Sequence, residues 1–263
     1  PQPSVAVLPC DNRSTDPSDA FLSDGFHDQI LLKLQKISSL RSLGIASVRR
    51  FSQDRPDPRE IATALGVSHL GECSVQVEGN RIQVIFRLLD GRSGAVISAE
   101  PYEGVRTTGT QFAIQKQIAE QVAENVGAAV SPEDDARISK SPTDNLEAFD
   151  LYTLGRIRWI GRDTEEMYEA LELYRAAIDL DPEFAPAYAG IAETYLLLTF
   201  FDRSELDVHD YIRRARSAAE KALALDDSLS EAHAALGYLK VWSDRDWEGA
   251  ERELRLATEL DPG

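Results

Sequence analysis

The two cysteines of the sequence, Cys10 and Cys73, are its strongest candidates for covalent chemistry. Cys10 follows a short apolar run, Val5–Leu8, and Pro9. A nucleophilic thiol needs a nearby base and a lowered pKa, and no histidine lies beside either cysteine in a pairing that would supply them. A disulfide is chemically possible if the two segments are neighbours in an oxidising compartment. The sequence favours burial of two free thiols over the disulfide, and both over catalysis.

A metal site is not predicted. His69 and Cys73 are four residues apart on a predicted strand, which places them on one face but about 13 Å apart at 3.3 Å per residue. The other histidines, His27, His209 and His233, are scattered along the chain. No glycine-rich phosphate loop follows a strand, and no pair of carboxylates stands out as an acid and a base. We therefore expect no cofactor, no metal and no catalytic site.

Composition and charge narrow the class of protein. The 263 residues are 43% hydrophobic and 28% charged, which is typical of globular chains, and their formal net charge is −17. Residues 1–130 hold 13 Lys/Arg against 15 Asp/Glu, whereas residues 131–263 hold 15 against 30. The acidic second half repels phosphate backbones, so we expect no nucleic-acid partner. The start at Pro1 and the lack of a long apolar run suggest a piece of a longer protein, with any membrane anchor outside it.

The first 130 residues predict an α+β domain. Their apolar pattern alternates between strand and helix periods and gives the order βαβαβββα, a mixed sheet with two or three helices. Asp57, Pro58 and Gly66 are the cap, first-turn and terminating residues expected of one helix. The predicted elements are strands at 5–8 and 43–48, helices at 23–38, 57–66 and 110–130, and three antiparallel strands within 67–102.

The rest of the chain predicts an all-α solenoid. Residues 131–144 contain two Ser-Pro pairs and no periodic apolar face, which indicates a linker. The segments LDP, LDD and LDP then recur at 180–182, 225–227 and 260–262. These segments lie 45 and 35 residues apart. Helix pairs that end in this way at a period of about 34 residues, with small residues where the helices approach, are typical of tetratricopeptide (TPR) hairpins. The predicted repeats cover about 145–182, 183–227 and 228–262.

A groove on the first helices of these hairpins is the best candidate binding site. Aromatic side chains with one arginine at its concave positions would suit an extended or helical peptide. The alternative is that the first-repeat aromatics pack against the α+β domain. The predicted groove residues are Phe149, Tyr152, Arg156, Trp159, Glu193, Leu196, Tyr238 and Val241.

The first domain resembles the TolB amino-terminal-like domain of bacterial signalling proteins. The segments SVAVLPCDNRS (4–14), SDGFHDQILLKL (23–34), DPREIATALGVSHLGECSV (57–75) and VEGNRIQVIFRLLDGRSG (77–94) carry the likeness. Relatives usually have Phe at the position of Cys10 and Gly-Ser at Cys73-Ser74, so no family role transfers to the thiols. TPR repeats commonly follow this domain. The resemblance implies the non-catalytic part of a class III adenylate cyclase or of a membrane-anchored winged-helix regulator, on the extracytoplasmic side.

These observations predict a non-enzymatic sensory or protein-interaction region that binds a protein or peptide in the groove or in an interdomain cleft. Two alternatives belong to other classes. One is a structural scaffold that forms a homodimer, and the other is an enzyme module with an unrecognised site.

Overall fold

The computed structural model of the chain describes residues 2–51, 56–202 and 208–261. Within them the chain divides into two units, residues 2–141 and 142–261. The first unit has helices around a mixed sheet, and the second contains helices joined by short turns, with no strand among its described residues.

A six-stranded mixed sheet forms the centre of the first unit. β1 is parallel to β3 and β4, whereas β4, β5 and β6 form an antiparallel meander, so the order across the sheet is β3-β1-β4-β5-β6. β2 follows β1 along the same side of β4 and pairs with β4 in parallel. The strands are β1 (Ser4–Val7), β2 (Asp11–Asn12), β3 (Arg41–Ser42), β4 (His69–Glu78), β5 (Arg81–Asp90) and β6 (Val96–Val105).

The helices of the first unit follow their capping signals. α3 begins after Asp57, whose side chain accepts from the Arg59 amide, and ends at Gly66 in the left-handed region. α4 begins after Thr107 and ends at Gly127 in the same way. Its α-helices within the described residues are α1 (Ala20–Gln35), α2 (Ile45–Val48), α3 (Pro58–Leu65), α4 (Thr108–Val126) and α5 (Pro132–Ile138).

The sheet of the first unit packs on both faces. Val5 and Val7 of β1 belong to the larger core, which includes residues of α1 and α4. Ala6 and Leu8 belong to a second core, with Ile61 of α3. Since successive strand residues point to opposite faces, this division explains why β1 is an unbroken apolar run rather than an alternating one.

Two predicted boundaries in the first unit were wrong. The strand predicted at 43–48 is instead β3 at Arg41–Ser42 followed by α2, because Val48 enters the second core from a helical turn. A short apolar run does not distinguish these two structures. The linker predicted at 131–144 begins as α5, capped reciprocally by Ser131 and Asp134. Its end is fixed because the Lys33 ammonium donates to the Ile138 carbonyl at 2.6 Å.

In the second unit, residues 142–202 and 208–261 form three helical hairpins, α6/α7, α8/α9 and α10/α11. Small residues permit close helix contacts: a Cβ on Gly155 or Gly190 would lie 2.6 or 2.7 Å from the fully buried Tyr174 ring. The helices are α6 (Leu146–Gly161), α7 (Thr164–Leu180), α8 (Ala185–Phe201), α9 (Val208–Leu225), α10 (Ser230–Leu239) and α11 (Trp247–Leu260).

A π-helical turn, Lys240–Asp244, extends α10. It ends at Arg245, which adopts a left-handed conformation with φ of 57°. Such turns insert an extra residue into a helix and change the direction of the side chains that follow.

Candidate functional site

The predicted groove residues of the first hairpin are mostly buried. Phe149, Tyr152 and Arg156 are 3%, 6% and 7% exposed. The Tyr152 ring lies 5.8 Å from the Tyr174 ring and 5.0 Å from the Phe184 ring, so it fills the space between helices of its own unit. The prediction that these first-hairpin side chains form an exposed binding surface was therefore wrong for these three.

Arg156 is neutralised within the helical unit. Its guanidinium lies 3.7 Å from the Glu193 carboxylate and 5.3 Å from the centre of the Trp159 ring. Arg162 approaches the same ring at 5.6 Å. Two of the predicted groove residues thus form an ion pair between α6 and α8, and Trp159 already has two cations close to its ring.

Exposed aromatic residues are found on the second and third hairpins instead. Phe200, Tyr238 and Trp242 are 57%, 50% and 69% exposed, and we call these three residues the aromatic surface. The Phe200 and Trp242 rings meet edge to face with centroids 6.4 Å apart, which joins α8 to the π turn. Leu196 and Val241 are partly buried.

The sequence prediction included Tyr238 but missed Phe200 and Trp242. The sequence spacing could have identified them. Trp242 is four residues after Tyr238 and Phe200 is four residues after Leu196, and residues four apart share one face of a helix. The π turn was not predictable from this spacing.

A polar cluster joins the first and second hairpins, with Tyr168 on α7, Asp202 at the end of α8 and Tyr211 on α9. The Tyr168 and Tyr211 hydroxyls both donate to one carboxylate oxygen of Asp202, the Tyr168 bond measuring 2.8 Å. Burial, together with the hydrogen bonds to Tyr211 and Asp202, raises the pKa of Tyr168 well above its usual range. Residues 183–261 contain 17 Asp/Glu against nine Lys/Arg, so this part of the unit has a charge of −8.

Glu253 connects the helices of the third hairpin. Its carboxylate is 2.7 Å from both the His233 Nδ1 and the Lys240 ammonium. The other ring nitrogen of His233 faces the Asp227 carbonyl at 3.0 Å. Burial acts to raise the pKa of Glu253, but the hydrogen bonds from Lys240 and His233 outweigh it and hold the pKa below its ordinary 4.5.

The cysteines meet in the first unit. Between Val7 of β1 and Asp11 of β2 the chain advances four residues, whereas the partner strand β4 advances three, from Gly71 to Ser74. This extra residue brings Cys10 opposite Cys73, with Cα atoms 4.6 Å apart, and a disulfide joins them. The sequence favoured two free buried thiols over a disulfide, and the structure contains the disulfide. Both residues are buried, and a bonded sulfur is not a nucleophile.

His69, considered above as a metal ligand with Cys73, has a neighbouring hydroxyl as its partner. His69 Nδ1 pairs with the Ser68 hydroxyl at 2.9 Å. No three His, Cys, Asp or Glu side chains within the described ranges are grouped closely enough to hold a metal ion. Within these ranges, no helix combines the length and apolar character that a membrane span requires.

The chain is similar to a curated protein over most of its length and to several solved structures over about half of its length. No family model matches it. A protein of Rhizobium meliloti (strain 1021) named "Putative adenylate cyclase 3" is 29% identical over 245 residues, which cover 93% of this chain and 41% of that protein. The chain thus spans less than half the length of this relative.

The structural likenesses are partial. Lipoprotein GNA1162 from Neisseria meningitidis is 16% identical over 47% of this chain and 97% of its own, with a TM-score of 0.37. The first TPR of Spaghetti (RPAP3), bound to an HSP90 peptide, is 21% identical over 47% of this chain and 86% of its own, with a TM-score of 0.37. TolB from Acinetobacter baumannii is 11% identical over 50% of this chain and 30% of its own, with a TM-score of 0.35.

Proposed function

We propose that this chain is the non-catalytic sensory or protein-interaction region of a bacterial signalling protein. In this proposal a TolB-like α+β domain, residues 1–130, precedes TPR hairpins at 145–182, 183–227 and 228–262. The similarity to the Rhizobium meliloti protein supports it, because the match covers 93% of this chain but only 41% of that longer protein. An adenylate cyclase domain elsewhere in the full-length protein is the effector that we propose.

The helical unit acts by binding a protein or peptide through the aromatic surface. The observation that carries this step is the contact between Phe200 and Trp242, two large rings that remain 57% and 69% exposed although they touch each other. Exposed aromatic side chains that cluster in this way are enriched in the energetically important centres of protein interfaces. Leu196 lies four residues before Phe200 and Val241 lies next to Trp242 in the sequence, and both side chains are partly buried.

We further propose that the chain lies in an extracytoplasmic compartment. The buried disulfide between Cys10 and Cys73 supports this location, since such bonds persist in oxidising compartments and are rare in the cytosol. The thiols depart from the family pattern, so this support is independent of the TolB resemblance.

A random-peptide display library selected against the whole chain tests the binding function. We expect enriched peptides whose affinity falls at least tenfold in Trp242→Ala and in Phe200→Ala. Trp247→Ala is the matched control, because Trp247 is 67% exposed and begins the second helix of the same hairpin. An absence of enriched peptides, or equal losses in the Trp242 and Trp247 variants, would contradict the proposal.

Two further measurements separate the other function classes. The chain incubated with ATP and Mn²⁺ should form no cyclic AMP, whereas turnover would favour an enzyme module. Sedimentation should show a monomer. A dimer that dissociates in Trp242→Ala would assign the aromatic surface to a homodimeric scaffold instead.

A further inference from the structure

The aromatic surface lies in the acidic part of the molecule. Residues 183–261, which contain all three of its rings, have eight more acidic than basic side chains. Ion pairs within the unit, such as Arg216 with Asp244 at 2.8 Å and Lys240 with Glu253 at 2.7 Å, each neutralise one base and one acid and leave this surplus unchanged. The electrostatic field over this surface therefore attracts cations and repels anionic segments.

The helical unit repeatedly places a cation over an aromatic ring. Arg214 lies 5.7 Å from the centre of the Tyr195 ring and Lys221 lies 5.8 Å from that of Tyr188. Trp159 has two such neighbours, Arg156 and Arg162. Trp242, by contrast, has no cation over its ring among the residues that the structure describes, although tryptophan is the best aromatic acceptor of cations.

The geometry of Trp242 leaves it available to a partner. Phe200 meets it at an interplanar angle of 79°, and the indole remains 69% exposed. Its place in the π turn holds the ring beside α8, the preceding hairpin. An edge-to-face contact on one side fixes the ring without covering it.

We infer that the segment bound by the aromatic surface is basic, and that Trp242 holds one of its arginine or lysine side chains over the indole. This inference rests on the proposed function and specifies the chemistry of its partner. Phe200 and Tyr238 contact the apolar residues next to that cation. The surplus carboxylates of the second and third hairpins provide the long-range attraction.

Three nine-residue peptides test the inference on the whole chain. They alternate leucine with arginine, glutamine or glutamate, and their affinities are measured by the anisotropy of a terminal fluorophore. The arginine peptide should bind at least fivefold more tightly than the glutamine peptide, and the glutamate peptide should bind most weakly. Raising the salt concentration from 0.05 to 0.5 M should reduce the preference for arginine.

Two substitutions separate a cation contact from simple apolar burial. Trp242→Leu keeps an apolar side chain but removes the aromatic face, so the preference for arginine over glutamine should fall at least threefold. Trp247→Ala should leave the preference unchanged. Both positions are exposed, and equal thermal unfolding of the variants and the wild type confirms that they fold.

The outcomes distinguish this inference from the proposed function. If the glutamine and arginine peptides bind equally and both lose affinity in Trp242→Ala, the surface binds peptides but the basic partner is refuted. An unchanged arginine preference in Trp242→Leu also refutes it, as does the absence of arginine-peptide binding at 1 mM. The library selection then decides the proposed function separately.

Discussion

Breaking the disulfide between Cys10 and Cys73 should destabilise the first unit and leave the second unaffected. The bond joins the segment between β1 and β2 to β4 at the point where one extra residue interrupts the pairing. Reduction of the wild-type chain changes only this bond, since both side chains stay in place. The double variant Cys10→Ala, Cys73→Ala is the control that should not respond to reductant.

The expected loss follows from the length of chain that the bond closes. The two cysteines are 63 residues apart. On the chain-entropy model, closing a loop of this length reduces the entropy of the unfolded chain by the equivalent of about 4 kcal/mol at 25 °C. A loss of this size corresponds to a change of roughly 1,000-fold in the unfolding equilibrium.

Hydrogen exchange measures this loss unit by unit. The protein is unfolded with and without reductant, refolded and exchanged under each condition. The most protected amides of β4 and β5 should exchange roughly 1,000-fold faster in the reduced protein. All three tryptophans lie in the helical unit, so unfolding followed by tryptophan fluorescence gives an internal control that should not change.

Two results would refute this reasoning. Two reactive thiols in the denatured but unreduced protein would show that the bond does not form. Protection of β4 and β5 that falls less than tenfold on reduction would show that the bond forms but does little to hold the sheet.

The remaining predictions concern packing, capping and charge. Gly190→Ala should destabilise the helical unit by about 1–3 kcal/mol in fluorescence-monitored unfolding, because the new Cβ would lie 2.7 Å from the buried Tyr174 ring; no loss would contradict this tight packing. Asp134→Ala should make α5 accessible to trypsin, since it removes half of the reciprocal cap. Because the pKa of Glu253 is lowered in the folded state, its stabilising contribution is present above its unfolded pKa of 4.5 and is lost as the pH falls through the lower folded value. Fluorescence-monitored stability should therefore decline below about pH 4.5, and Glu253→Gln should reduce that decline; an unchanged pH profile would refute the assignment.

Regular periods made much of the fold predictable. The alternating residues around Gly79-Asn80 predict the antiparallel pairing of β4 with β5, and the structure contains it. Capping residues likewise predict the ends of α3. α5 was missed because one apolar side chain, Ile138, enters the core, and a single buried residue has no period to detect. The sequence predicted a mixed sheet, but the short strands β2 and β3 and the short helix α2 depend on contacts with distant parts of the chain, which a local pattern does not contain.

The candidate surface was harder to predict because helix period does not determine which of two apolar faces stays exposed. Tyr152 and Tyr238 were assigned to the same surface from their spacing, yet Tyr152 is 6% exposed and Tyr238 is 50% exposed. Tyr152 is buried because Tyr174 and Phe184 enclose its ring. Trp242, four residues after Tyr238, lies in the π turn beside Phe200 and stays in contact with solvent. A regular α-helix through 240–244 would rotate Trp242 relative to α8. We therefore expect the exposed surface to depend on the backbone of this turn as much as on its aromatic residues, which the sequence pattern alone cannot specify.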